Sequence, residues 1–214
     1  MKRWENDLQE FLLVKADILD KEERAELAYY LGLCYTKLER YDEAPAHLEQ
    51  VVMSGKDAMR AYQCRLTIAY IYIITGKVKM AEFELNRLQK TGFESASLYN
   101  ALAYSAYMQK RFKNAVELYE KALELDKNNV TAMNSMGFIL ADTGINSERG
   151  LKLCRRAVEC RPRNAAYLDS LGWAHYRCGN FSEARNWLNR AIEIAPKEKE
   201  IKEHYRIVAG GKFW

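Results

Sequence analysis

Pairs of small residues recur along this chain at a spacing that marks stacked helix pairs: Gly32 with Ala44, Ala69 with Ala81, Ala103 with Ala115, Gly137 with Gly150, and Gly172 with Ala184. The partners are twelve residues apart in four pairs and thirteen apart in Gly137–Gly150. Successive pairs begin 37, 34, 34 and 35 residues apart. Self-similarity at a fixed period of this length is the mark of a helical repeat array, in which each unit buries its apolar face only against its neighbours. Such arrays present surfaces and seldom carry chemistry, so the same beat also limits the function.

The physics of the beat is steric. Two helices that cross closely need small side chains where their backbones approach, with larger residues filling the grooves on either side. Within each predicted helix, apolar residues recur at three- and four-residue spacing, as in Leu168, Leu171 and Ala174. Short polar segments separate the helices, among them Thr75-Gly76-Lys77, Lys127-Asn128-Asn129 and Cys178-Gly179-Asn180. Asp42, Asn129 and Ser182 are expected N-caps, and Gly76 and Gly179 stand where a helix ends in a left-handed residue. Pro162 and Pro196 follow helix ends, whereas Pro45 falls in a first helical turn, where its missing N–H costs little.

The last unit is the clearest: Leu168, Leu171, Gly172 and His175, then Gly179, Phe181, Ala184, Leu188 and Ala191, ending at Pro196. This pattern resembles the tetratricopeptide repeat (TPR), and the resemblance covers residues 25 to 196. It implies an all-α, right-handed superhelical solenoid of about five helix-turn-helix repeats, at 25–56, 62–93, 96–129, 130–164 and 165–196. Both ends differ, as a repeat array requires, since terminal units cover an otherwise exposed apolar face. Residues 1–21 are expected to form an N-terminal capping helix, amphipathic over 4–19 with Trp4, Leu8, Phe11, Leu12, Ile18 and Leu19 on one side. Asp20-Lys21-Glu22-Glu23 reads as a capping box opening the next helix. Residues 197–209 read as a charged capping helix with Ile201, Tyr205 and Val208 as its sparse apolar residues, and 210–214 as a flexible tail. The whole, 1–214, is expected to be one domain.

Composition fits that picture. Of 214 residues, 49% are hydrophobic, enough to bury an elongated core. No run approaches a membrane span, and the residues from Met1 to Asp7 lack a signal-peptide apolar region, so the expected compartment is the cytoplasm. A leader removed from a longer parent chain would change that to an exported protein. Cys34, Cys64, Cys154, Cys160 and Cys178 show no C-x-x-C spacing and are odd in number, which suits small hydrophobes in a reducing compartment. His47, His175 and His204 are scattered without ligand spacing, so neither a metal nor a cofactor is expected. No phosphate loop, G-x-S-x-G elbow, H-E-x-x-H or dinucleotide fingerprint occurs, and no catalytic residue is expected.

What remains is surface. The resemblance implies that the first helix of each repeat lines a concave groove with its second, fifth, ninth, twelfth and thirteenth residues. Those places hold Tyr29, Leu33 and Lys37; Leu66, Tyr70, Ile73 and Ile74; Asn100, Tyr104, Tyr107 and Met108; Asn134, Phe138 and Asp142; and Asp169, Trp173, Tyr176 and Arg177. Aromatic anchors dominate interface energetics, and a line of Asn side chains suits the backbone of an extended peptide. The carboxylate clamp that some family members use on chaperone tails needs Lys and Asn where this chain has Tyr29 and Leu33, so a more apolar peptide or helix is the expected ligand.

A second feature is charge: residues 148–163 carry Arg149, Lys152, Arg155, Arg156, Arg161 and Arg163 against only Glu148 and Glu159, on a helix expected to face outward. An acidic partner or RNA is the alternative ligand there, although one short helix offers few phosphate contacts. Phe213 and Trp214 after a Gly-Gly hinge offer a route to self-association. The expected function is a non-enzymatic adaptor that holds one or more partner proteins, and the wording of the last two repeats is most similar to bacterial members of the family.

Overall fold

A computed structural model describes residues 2–210. All regular structure among these residues is helical, in twelve α-helices and one short 3-10 turn. The chain forms two compact units, residues 1–108 and 109–214. The first holds α1 (Lys2–Leu12), α2 (Lys21–Lys37), α3 (Ala44–Ser54), α4 (Ala58–Ile74), α5 (Val78–Lys90) and α6 (Ala96–Met108). The second holds α7 (Phe112–Leu125), α8 (Val130–Asp142), α9 (Ser147–Cys160), α10 (Ala165–Arg177), α11 (Phe181–Ile194) and α12 (Lys199–Gly210).

Within each unit the small-residue pairs sit at the helix crossings. A Cβ added to Gly32 of α2 would stand 2.6 Å from Leu48 Cδ2 of α3, and one on Gly172 of α10 would stand 2.7 Å from Leu188 Cγ of α11. The α8–α9 crossing is tighter still, because backbone meets backbone. A Cβ on Gly150 would lie 2.6 Å from the carbonyl oxygen of Gly137, and one on Gly137 2.9 Å from that of Gly150. In the α4–α5 pair, Ala69 and Ala81 fill the same role and are fully buried. Leu48, Ile68, Leu85 and Leu98 form the core of the first unit. In the second, Met133, Cys154, Leu168, Leu171 and Ile201 form one cluster, and Trp173, Leu188 and Val208 another. Arg65 stands at a place where the other units are apolar. It is tolerated because its guanidinium reaches Glu84 of α5 at 2.7 Å, both groups largely out of water.

Helix ends follow from local chemistry. Asp20 and Glu23 form the expected capping box: the Asp20 carboxylate accepts from the N–H groups of Glu22 and Glu23, and Glu23 accepts from the N–H of Asp20. Gly76 and Gly179 end their helices at φ 76° and 78°, and Glu39 and Lys110 adopt the same left-handed conformation at φ 58° and 59° in the corresponding turns. Asn129 caps α8 by accepting from Ala132 N–H at 3.0 Å. Two expected caps are displaced. Glu43, not Asp42, precedes α3, and Ser182 lies inside α11, which already begins at Phe181. Pro45 occupies the first turn of α3.

The N-terminal helix is shorter than its pattern suggests. It stops at Leu12, the chain tightens through i→i+3 bonds at Leu13 and Val14, and Ala16–Ile18 form the 3-10 turn. The break lets Asp20 adopt the extended backbone its capping role requires. Leu8 is buried and Trp4 and Phe11 pack on the core, but Ile18 is 79% exposed.

Candidate functional site

The expected groove places behave differently in the two units. In the first unit, Tyr29 and Leu33 on α2 and Leu66 and Tyr70 on α4 hold the fifth and ninth places of their repeats. Tyr29, Leu33 and Leu66 are half-buried and Tyr70 is 50% exposed. The Arg60 guanidinium lies 4.8 Å from the centre of the Tyr29 ring and holds it in place from the next first helix. On α6, Asn100, Tyr104 and Tyr107 are half-buried, with the two tyrosine rings stacked at 6.2 Å. Ile73 is the exception: it is fully buried in the core of the first unit, whereas Tyr107 at the same twelfth place is half-buried. The outcome is a partly open row of aromatic and aliphatic side chains.

In the second unit the equivalent places converge and are largely covered. Asn134, Asp169 and Trp173 are all buried, Phe138 and Tyr176 are half-buried, and Arg177 is exposed. The indole N–H of Trp173 donates to Asp142 Oδ1 at 2.9 Å, and its ring packs on Tyr176 at 5.0 Å. Asn134 Nδ2 donates to Ser170 Oγ at 3.1 Å, while its buried Oδ1 meets no donor among the described residues. Arg177 Nε donates to the Ala141 carbonyl at 3.3 Å. The covering element is α12, which lays Ile201, His204 and Val208 inward. His204 Nδ1 lies 2.9 and 3.0 Å from the two Asp169 oxygens, and its ring stacks on Trp173 at 4.2 Å.

Burial opposes charge on that imidazole. The bond to Asp169 and the charges of Asp169, Glu200 and Asp142 outweigh it, so the His204 pKa is raised above its usual 6.5. Sequence reasoning misses His204 as a site residue because α12 reads as a solvating helix. The signal is its spacing, three residues after Ile201 and four before Val208, which puts it on the apolar stripe.

The remaining titratable groups have structural explanations. His175 is buried and its pKa is lowered, by desolvation first and then by Arg155, and His47 is lowered by burial alone. Burial pushes the Cys64 thiol up to about 11 and raises Cys154 further, which makes both poor nucleophiles. No group of three or more metal-ligating side chains occurs among the described residues, and no described helix is long and apolar enough to cross a membrane.

The basic run lies on α9 and just beyond it. Arg149 bonds Glu120 of α7 at 2.8 Å. Lys152, Arg155, Arg156, Arg161 and Arg163 are exposed and make no ion pair among the described residues. The tail residues Phe213 and Trp214 lie outside the described residues.

Comparison with known proteins gives a consistent picture. The sequence model of the tetratricopeptide repeat matches residues 96–129 and 165–198. Human mitochondrial import receptor subunit TOM70 is 22% identical over 189 residues, 86% of this chain and 31% of the receptor. Human protein O-mannosyl-transferase TMTC1 is 31% identical over 184 residues, 85% of this chain but only 20% of the transferase. The chain thus spans less than a third of the length of these curated relatives. Among solved structures, a thermophilic TPR protein of Thermus thermophilus superposes with a TM-score of 0.71 at 17% identity, covering 86% of this chain and 98% of that one. YrrB, a TPR protein with an unusual peptide-binding site, gives 0.57 at 20% identity, covering 84% and 90%.

Proposed function

We propose that this chain, whose residues 96–129 and 165–198 match the tetratricopeptide repeat, is a non-enzymatic adaptor whose first unit holds a peptide or helix of a partner protein. The carrying observation is the contrast between equivalent places. Tyr70 is half exposed in the same unit as half-buried Tyr29, Leu33, Leu66 and Tyr104, whereas Asp169 and Trp173 at the equivalent places of the second unit are buried against His204 of α12. Large aromatic rings half out of water are the residue type that gains most from desolvation by a partner. A cytoplasmic setting belongs to the same proposal, carried by the buried thiols Cys34, Cys64 and Cys154.

The test is capture of partners by the full chain and by Tyr29→Ser/Tyr70→Ser, followed by direct titration of whatever is captured. The expected result is at least a tenfold loss of affinity in the double variant with the helical content unchanged. A partner bound equally by both proteins contradicts the proposal.

A second reading is favoured by one observation: five unpaired cations on or beside α9 suit an acidic protein surface or an RNA backbone. Binding through them falls steeply with salt, whereas binding through the apolar row does not. A partner lost in Arg155→Glu/Arg156→Glu and retained in the tyrosine variant moves the interface to the outer face.

A further inference from the structure

The unexplained arrangement in this molecule is the buried charge pair beneath α12. A capping helix is held adequately by apolar contacts, and Ile201 and Val208 supply them. Between these two residues the chain places a histidine that is 9% exposed against a carboxylate, Asp169, that is 6% exposed. A buried ion pair is a poor source of net stability compared with an apolar replacement, because two ions must be desolvated. What it adds is dependence on protonation.

Burial opposes the imidazolium, and the carboxylates and rings around it favour it. Asp169 of α10 meets Nδ1 directly. Asp142 of α8 lies behind Trp173, fixed by the indole bond. Glu200 and Glu203 lie on α12 itself, the latter paired with Arg206. The charged group that α11 contributes to this helix, Arg185, donates to the Val208 carbonyl. The rings of Trp173 and Phe138 stand 4.2 and 6.0 Å from the imidazole centre, within the range where an aromatic face attracts a cation.

We propose that His204 is a proton-operated latch: the imidazolium holds α12 against the first-helix face of the second unit, and loss of its proton loosens α12 and uncovers Phe138, Asp169 and Trp173. The neutral ring keeps its Nδ1–H bond to Asp169, so what is lost is the charge, together with its attraction to the carboxylates and the rings. The sign follows from linkage. A histidine whose folded pKa is raised contributes stability that is present below about 6.5 and is lost as pH rises through the folded value. His175 in the same unit has a lowered pKa and acts in the opposite direction, weakening the fold as pH falls. A global melt mixes the two, so a local measurement is required. This inference does not depend on the adaptor reading, since its test uses no partner.

The test is hydrogen exchange of α12 amides in the full chain between pH 5.5 and 8.5, each rate divided by the intrinsic base-catalysed rate. In the wild type the opening constant is expected to rise with pH from about 6.5 through the folded pKa, by less than tenfold per unit, and then to level off. His204→Gln and Asp169→Asn are both expected to be flat with pH. A flat wild-type profile overturns the latch, as does a slope that survives His204→Gln or one of opposite sign. Where a variant fails to fold, the NMR titration of His204 in the wild type decides: a midpoint above 6.5 supports the latch, and one at or below 6.5 overturns it.

Discussion

Single residues decide how closely the helices pack, and glycine is not equally necessary at each crossing. At Gly172 an added methyl meets chiefly the buried Leu188 side chain, at 2.7 Å from Cγ, with the nearest backbone atom, the Ala184 oxygen, farther away at 3.2 Å. At Gly150 it meets the Gly137 carbonyl at 2.6 Å and the Ala141 nitrogen at 2.8 Å, both backbone atoms that can move only if the helices part. Alanine gains roughly 1 kcal/mol of helix propensity over glycine at either place, against an overpacking cost of about 1–3 kcal/mol. Gly172→Ala is therefore expected to destabilise by about 1 kcal/mol and Gly150→Ala by about 2 kcal/mol. Urea unfolding followed by circular dichroism checks this, and equal midpoints for the two variants contradict it. The small-residue beat was legible in the sequence because it is a steric rule. Which crossings are backbone against backbone was not, since that depends on how near two particular helices come.

Among the elements, the α8–α9 pair is the irregular one, and the thirteen-residue spacing has a physical use. The extra residue lengthens the turn so that Asn146 reaches the start of α9, where it accepts from Arg149 N–H at 3.0 Å. The second helices α3, α5, α7 and α11 begin without a side-chain cap. Asn146→Ala is expected to cost about 1 kcal/mol, the usual worth of an N-cap. Lys77→Ala, at the uncapped start of α5, is expected to cost a few tenths or less. Thermal melts of the two variants make the comparison, and an equal shift removes the role assigned to the insertion.

Helix number and type were readable from periodicity and turn residues. The end of α1 at Leu12 was not, because the apolar pattern continues to Leu19 while the capping box at Asp20 forces the chain to turn earlier. Nor was the docking of α12, whose charged composition hid a single buried histidine.

At the scale of the molecule, the repeat register sorts side chains into core, first-helix row and outer face, and this sorting carries the functional proposal. It assigns Tyr29, Leu66 and Tyr70 to the first helices of their repeats and the cations of 149–163 to a second helix and the turn after it. It could not show that Ile73 turns into the core or that Asn134, Asp169 and Trp173 are covered, because both depend on neighbouring elements rather than on position within a repeat. The most direct measurement of the central claim is selection of a random peptide library on the full chain, followed by titration of the enriched peptides against the wild type, Tyr29→Ser/Tyr70→Ser and Arg155→Glu/Arg156→Glu. The account predicts peptides with apolar or aromatic anchors whose affinity falls at least tenfold in the tyrosine variant, holds in the arginine variant and changes little with salt. Enrichment of acidic peptides that depend on Arg155 and Arg156 and bind both tyrosine forms equally would contradict it.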